Sequence, residues 1–127
     1  MYKRQPKETH EETKEAPPEK ISIAFKTVQK ETIGYLKKKF DTTQNIVFAL
    51  MLAEEYLHLK SYKEALKWAL VANELDPKNE RSWILFAKTK AKLNSKNEAI
   101  IVLEEYLKHH SSAKVELLVN SLKKGIL

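Results

Sequence analysis

The feature that most constrains this chain is an internal repeat. Residues 46–79 read IVFALMLAEEYLHLKSYKEALKWALVANELDPKN, and residues 80–113 read ERSWILFAKTKAKLNSKNEAIIVLEEYLKHHSSA. A shift of 34 residues superposes Leu50 on Ile84, Leu52 on Phe86, Ala53 on Ala87, Leu59 on Leu93, Ser61 on Ser95, Glu64 on Glu98 and Ala65 on Ala99. That period is the length of one helix–turn–helix unit of a solenoid, in which each unit buries its apolar face against its neighbours. The only glycines are Gly34 and Gly125, and this scarcity of helix terminators favours long helices with tight connections.

The shared residues have physical roles. Ser61 with Glu64, and Ser95 with Glu98, have capping-box spacing. In that motif the serine oxygen accepts a free backbone N–H and the glutamate reaches back to the serine N–H. Both boxes are expected to open the second helix of a unit. Asp76-Pro77 marks another start, with Asp76 as N-cap and Pro77 at the first helical position. Ala53 with Ala65, and Ala87 with Ala99, put small side chains where paired helices cross and let their axes approach. The spacing predicts helices near 45–59, 62–75, 79–93, 96–109 and 112–124. The last has Ser111 or Ser112 as cap, buries Val115, Leu118 and Leu122, and exposes Lys114, Lys123 and Lys124. It would cover the apolar end of the second unit.

Upstream, apolar residues Ile21, Ala24, Phe25, Val28, Ile33, Leu36 and Phe40 predict a helix over 21–40. The alternation Ile21, Ile23, Phe25 also suits a strand, but no second strand is available to pair with it. Lys37, Lys38 and Lys39 fall in the expected last turn, where the helix dipole favours cations, and Asp41–Thr43 are expected to form the connection and the next N-cap. Residues 1–20 are almost devoid of apolar side chains and are expected to be a disordered tail or linker, leaving 21–127 as the folded domain.

These residues resemble the tetratricopeptide repeat family over about 46–113. The first unit offers Leu52-Ala53, Tyr56, Ala65, Ala72 and Pro77, but has Ala49 in place of an aromatic and Ala69 in place of a bulky residue. The second offers Trp83, Phe86-Ala87, Ala99 and Leu103, but has Lys90 for a Tyr, Tyr106 for an Ala and Ser111 for a Pro. The resemblance implies an all-α, short right-handed α-solenoid with an N-terminal helix and a C-terminal capping helix. It also implies an interaction scaffold whose first helices line a concave groove for a peptide or helix of another protein. Carried onto this chain, the groove face is Val47, Leu50, Glu54, Leu57 and His58 from the first unit, with Arg81, Ile84, Leu85, Lys88 and Lys92 from the second. The 34-residue shift puts Glu54 beside Lys88. Such a groove would prefer apolar anchors with acidic flanks. One subclass of the family clamps the acidic C-terminal tails of heat-shock chaperones with Lys and Asn side chains. Glu54 stands where an Asn would be wanted, and there is no third full repeat, so that specificity is rejected.

Composition narrows the remaining classes. The net charge of +6 is carried almost wholly by lysine, the only arginines being Arg4 and Arg81. Lysine is a solvated point charge without the planar fork that grips phosphate and guanine, so specific nucleic-acid reading is not expected. No cysteine is present, which removes disulfides, thiolate metal sites and cysteine nucleophiles. No apolar run is long enough to span a membrane, and Met1–Lys20 lacks the apolar core of a signal peptide. Glu54 and His58 share a helix face, but third and fourth metal ligands are not evident. His109-His110 closes a helix, and the adjacent pairs Glu54-Glu55 and Glu104-Glu105 point about 100° apart, as expected of solvated surface. No catalytic site, metal or cofactor is expected. Trp83 is expected in the core. Trp68 either packs on the N-terminal helix or lies exposed on the convex side, where it would mark a second contact surface.

The leading expectation is thus a non-catalytic adaptor. A basic binder of nucleic acid or another anionic surface is the second reading, and a self-associating structural component the third. By default the chain is cytoplasmic, or it is a soluble domain tethered through its linker to a removed anchor.

Overall fold

The computed structural model describes residues 18–126, with side chains from residue 23. The linker expected over 1–20 lies outside the described residues as far as residue 17. Among the described residues there are six helices and no strand: α1 (Pro18–Thr43), α2 (Ile46–His58), α3 (Tyr62–Leu75), α4 (Glu80–Lys92), α5 (Lys96–His109) and α6 (Ala113–Lys124). They form a helical-repeat solenoid of the expected all-α class. The chain divides into two compact units, one ending at Thr32 and one beginning at Ile33.

In the first unit the side chains of Ile23, Phe25 and Val28 on α1 are exposed. In the second unit the same helix buries Leu36 and Phe40. The lysines 37–39 do not occupy the last turn, because α1 continues through Asp41–Thr43. The Thr42 and Thr43 hydroxyls donate to the Lys38 and Lys39 carbonyls at 2.8 and 2.7 Å and stay within the helix. Gln44, with φ 53°, ends it, and Asn45 rather than Asp41–Thr43 caps α2 by accepting from the Val47 N–H at 2.9 Å.

The repeat is exact to the residue in the backbone: α2 and α4, and α3 and α5, begin and end 34 positions apart. Each hairpin turn is made the same way. Lys60 and Asn94 are left-handed, with φ 62° and 66°. The Ser61 N–H donates to the Tyr56 carbonyl and the Lys60 N–H to that of Leu57, at 2.9 and 3.0 Å. Ser95 and Asn94 repeat the pattern onto Lys90 and Ala91. This double bond is the Schellman closure, normally a glycine position.

That closure overturns the two capping boxes. The serine N–H that a glutamate would have accepted is already spent on the preceding helix. Ser61 and Ser95 have ψ of 75° and 51°, short of the extended backbone of the capping residues in this chain, and neither side chain caps its helix. Glu98 instead pairs with Lys90 at 2.9 Å. Asp76 is likewise not an N-cap. It ends α3 and its carboxylate accepts the Lys78 N–H at 3.1 Å, while Asn79 caps α4 through the Ser82 N–H at 3.1 Å. Pro77 therefore sits in the turn, where the Trp83 indole N–H donates to its carbonyl at 2.7 Å.

The core is two clusters. In the first, around α2 and α3, Trp68 meets Phe40 edge-on at 5.3 Å. Of the two positions weighed for Trp68, the structure takes the one against the N-terminal helix. Ala49 and Ala69, where the family motif is bulkier, are fully buried in the same cluster, and Phe40 and Trp68 supply the missing bulk. The four crossing alanines, 53, 65, 87 and 99, are all buried. The second cluster joins α4, α5 and α6 around Leu103, Tyr106, Val115 and Leu122. Trp83 is half-buried at its edge and lies against Tyr106, with ring centroids 5.5 Å apart and planes tilted by 49°.

α6 repeats the first helix of a unit. Its N-cap Ser112 lies 33 residues after Asn79, and α6 packs against both α4 and α5, as α4 packs against α2 and α3. Ser112 accepts the Val115 N–H at 3.1 Å and donates to the Glu80 carboxylate at 2.6 Å, tying α6 to the start of α4. Gly125, at φ 74°, closes α6 with the same two bonds that close α2 and α4.

Candidate functional site

The first helices α2, α4 and α6 present equivalent positions side by side. In register these are Val47, Arg81 and Lys114; Leu50, Ile84 and Leu117; Met51, Leu85 and Leu118; and Glu54, Lys88 and Ser121. A surface cavity of about 470 Å³ lies along these rows, lined by Glu54, Arg81, Ile84, Leu85, Lys88, Lys114, Leu117 and Leu118. Its floor is aliphatic. Leu85 and Leu118 are buried, whereas Leu117 stands 67% exposed.

The expected groove residues do not all meet there. Glu54, Arg81, Ile84, Leu85 and Lys88 do. Leu50 is buried in the first core cluster, and Leu57, half-buried, packs against that cluster. Val47 and His58 are exposed on α2 but do not line the cavity. Lys92 lines a different depression, of about 340 Å³, with Ala91, Asn94, Lys96, Leu122 and Gly125. The contribution of α6 was missed by treating that helix only as a cap. The signal was present in the sequence: Lys114, Leu117 and Leu118 repeat Arg81, Ile84 and Leu85 at a 33-residue shift.

The electrostatics differ from expectation in one pairing. Glu54 forms an ion pair with Arg81, not with Lys88. Among the described residues, Lys88 and Lys114 make no ion pair, so the cavity wall carries two uncompensated ammonium groups beside one neutralised guanidinium. Other charged contacts lie outside the cavity: Lys123 with Glu104 at 2.9 Å, and Lys108 with Glu105 at 3.2 Å. Among the described residues no group of three or more acidic, histidine or cysteine side chains could hold a metal. No helix there is long and apolar enough to cross a membrane.

Against known families, residues 27–106 match the model described as anaphase-promoting complex, cyclosome, subunit 3. The chain belongs to that family. The match covers well over half of the chain, from the middle of α1 to Tyr106 in α5. This is a family of tetratricopeptide-type repeats, which agrees with the repeat register and the all-helical fold. Repeats of this type suggest a protein-interaction module and are typically non-catalytic. Among curated proteins none matches the chain in sequence.

Proposed function

We propose that the face built by α2, α4 and α6 binds a peptide or helix of another protein, one with apolar anchors and acidic flanks. The observation that carries this reading is the composition of the cavity. An aliphatic floor from α4 and α6 (Ile84, Leu85, Leu117 and Leu118), with Glu54 of α2 at its edge, is bordered by Lys88 and Lys114, neither of which has an anionic partner among the described residues. Apolar anchors would displace water from Ile84 and Leu117, and acidic flanks would meet the two ammonium groups. The chain acts in this reading without chemistry of its own, as an adaptor.

A synthetic peptide carrying leucines followed by aspartates serves as probe. Titrated onto the chain and followed by amide chemical shifts, it is expected to perturb α4 and α6. Reversing Lys88 and Lys114 together to Glu should weaken it at least tenfold, a loss of about 1.4 kcal/mol, whereas Lys63→Glu on α3 should leave it unchanged. Unchanged affinity in the double variant refutes the groove assignment. A single-stranded RNA probe separates the second reading. Binding through a bed of lysines would fall steeply with salt whatever the sequence, and the apolar floor gives a polyanion nothing to fill.

A further inference from the structure

The groove is not symmetric from end to end. Its charges fall in chain order: α2 contributes Glu54, α4 contributes Arg81 and Lys88, and α6 contributes Lys114. Glu54 is engaged with Arg81 at the α2–α4 boundary, so the positive charge left for a ligand is displaced toward α4 and α6. Apolar exposure does not share this bias, since Leu117 on α6 is itself 67% exposed, so charge alone distinguishes the two ends. Beyond the α2 edge of the cavity, in the same rows, stand Val47 and Met51, 50% and 42% exposed, with no cation on α2 among them.

From this arrangement, and resting on the binding reading above, we infer that the groove imposes one direction on its partner. The partner is a protein segment that is apolar at one end and acidic at the other. Its acidic end meets Lys88 and Lys114, and its apolar end runs from the Ile84 floor past Glu54 toward Val47 and Met51 of α2. Glu54 is the residue that sets the direction. A carboxylate brought to the α2 end meets a like charge, and to reach Arg81 it must displace an ion pair already made. A carboxylate brought to the α6 end meets Lys114 and Lys88 with nothing to displace. Like-charge juxtaposition is a recognised means of excluding wrong registers. Because the Glu54–Arg81 pair is roughly half exposed, the discrimination is modest, of the order of two- to fivefold between the two directions. The same pair keeps Arg81 from adding a third cation, which limits binding of uniformly acidic chains.

The test uses the leucine–aspartate peptide with a nitroxide label at its acidic end, titrated onto the full chain. Paramagnetic broadening is expected at the amides of Leu117 and Leu118 and not at those of Val47 and Met51. In Glu54→Gln, broadening should spread to the α2 amides, and affinity for an all-aspartate control peptide should rise about two- to fivefold. If the probe perturbs the groove but broadens α2 preferentially, or equally in the parent chain and in Glu54→Gln, the directional inference falls while the groove remains. If no groove amide responds to the probe at all, the binding reading falls with it.

Discussion

Three serines occupy helix N-cap positions in this chain, and the structure assigns them very different weights. Ser61 and Ser95 open α3 and α5 without a side-chain bond, whereas Ser112 opens α6 with two. Replacing Ser112 by alanine strips the cap from the buried Val115 N–H, at about 1 kcal/mol. It also removes the donor to the Glu80 carboxylate. Hydrogen bonds to charged groups contribute about 1.5–3 kcal/mol, and with Glu80 partly exposed a figure near 1 kcal/mol is appropriate. Ser112→Ala should therefore cost about 2 kcal/mol, and Ser61→Ala or Ser95→Ala less than about 0.5 kcal/mol. With a urea m-value of about 1.5 kcal/mol/M, the midpoint should fall by more than about 1 M for the first and by less than about 0.3 M for the others. Amide exchange in α6 should accelerate only in Ser112→Ala. A cost for Ser61→Ala equal to that of Ser112→Ala would mean that the capping boxes form after all and that the Schellman closures do not exclude them.

Lys60 adopts a left-handed backbone at φ 62° that costs an L-residue about 1–2 kcal/mol, so Lys60→Gly should stabilise by about 0.5–1 kcal/mol after glycine's extra chain entropy. Asn94→Gly should gain less, since asparagine tolerates that region; equal midpoints for wild type and Lys60→Gly in thermal melts would refute this. Leu103, fully buried in the second cluster, should lose about 2–5 kcal/mol on truncation to alanine, whereas exposed Ile101, two residues earlier on the opposite face of α5, should lose under about 0.5 kcal/mol. Burial first, then the nearby Glu80 and Asp76 carboxylates, push the Tyr106 phenol above its ordinary value. The unfolded chain therefore ionises first, and the stability this group supplies is complete below pH 10 and lost as pH rises through the folded value. Urea midpoints above pH 10 should thus fall more steeply for the parent chain than for Tyr106→Phe.

Much of the fold was legible because it repeats. Apolar periodicity placed five helices to within a residue or two, since burial of one face decides a helix of this length whatever its ends do. The ends were misread. Ser-x-x-Glu is a valid capping box only when the serine N–H is free. Whether it is free depends on how the preceding helix closes, and Lys60 gives no hint that it will enter the left-handed region that glycine normally fills. Asp76-Pro77 failed for a similar reason: the Asp76 carboxylate found the Lys78 N–H, and the helix start moved to Asn79. At the groove, the residue types on α2 and α4 were readable from register. Which of two cations Glu54 would choose was not, because a 34-residue shift aligns Glu54 with Lys88 while Arg81 reaches it across the helices.

The status of α6 follows from comparing it with α4 position by position. Its inward residues match: Val115, Leu118 and Leu122 are buried where Ser82, Leu85 and Thr89 are. Its groove residues match in kind as well. The face that α4 turns toward its own partner helix α5 carries Trp83, Ala87 and Lys90; on α6 the same positions are Glu116, Asn120 and Lys123, all exposed. Lysine at the last of these positions is common to both helices, but a second helix packed on α6 would have to bury the Glu116 carboxylate and the Asn120 amide, and would lack the small residue that lets helix axes approach. The family match, too, stops at Tyr106, short of this helix. α6 thus keeps the half of a repeat that lines the cavity and replaces with polar side chains most of the half that would extend the solenoid, which is how one helix can both cover a core and line the proposed binding face.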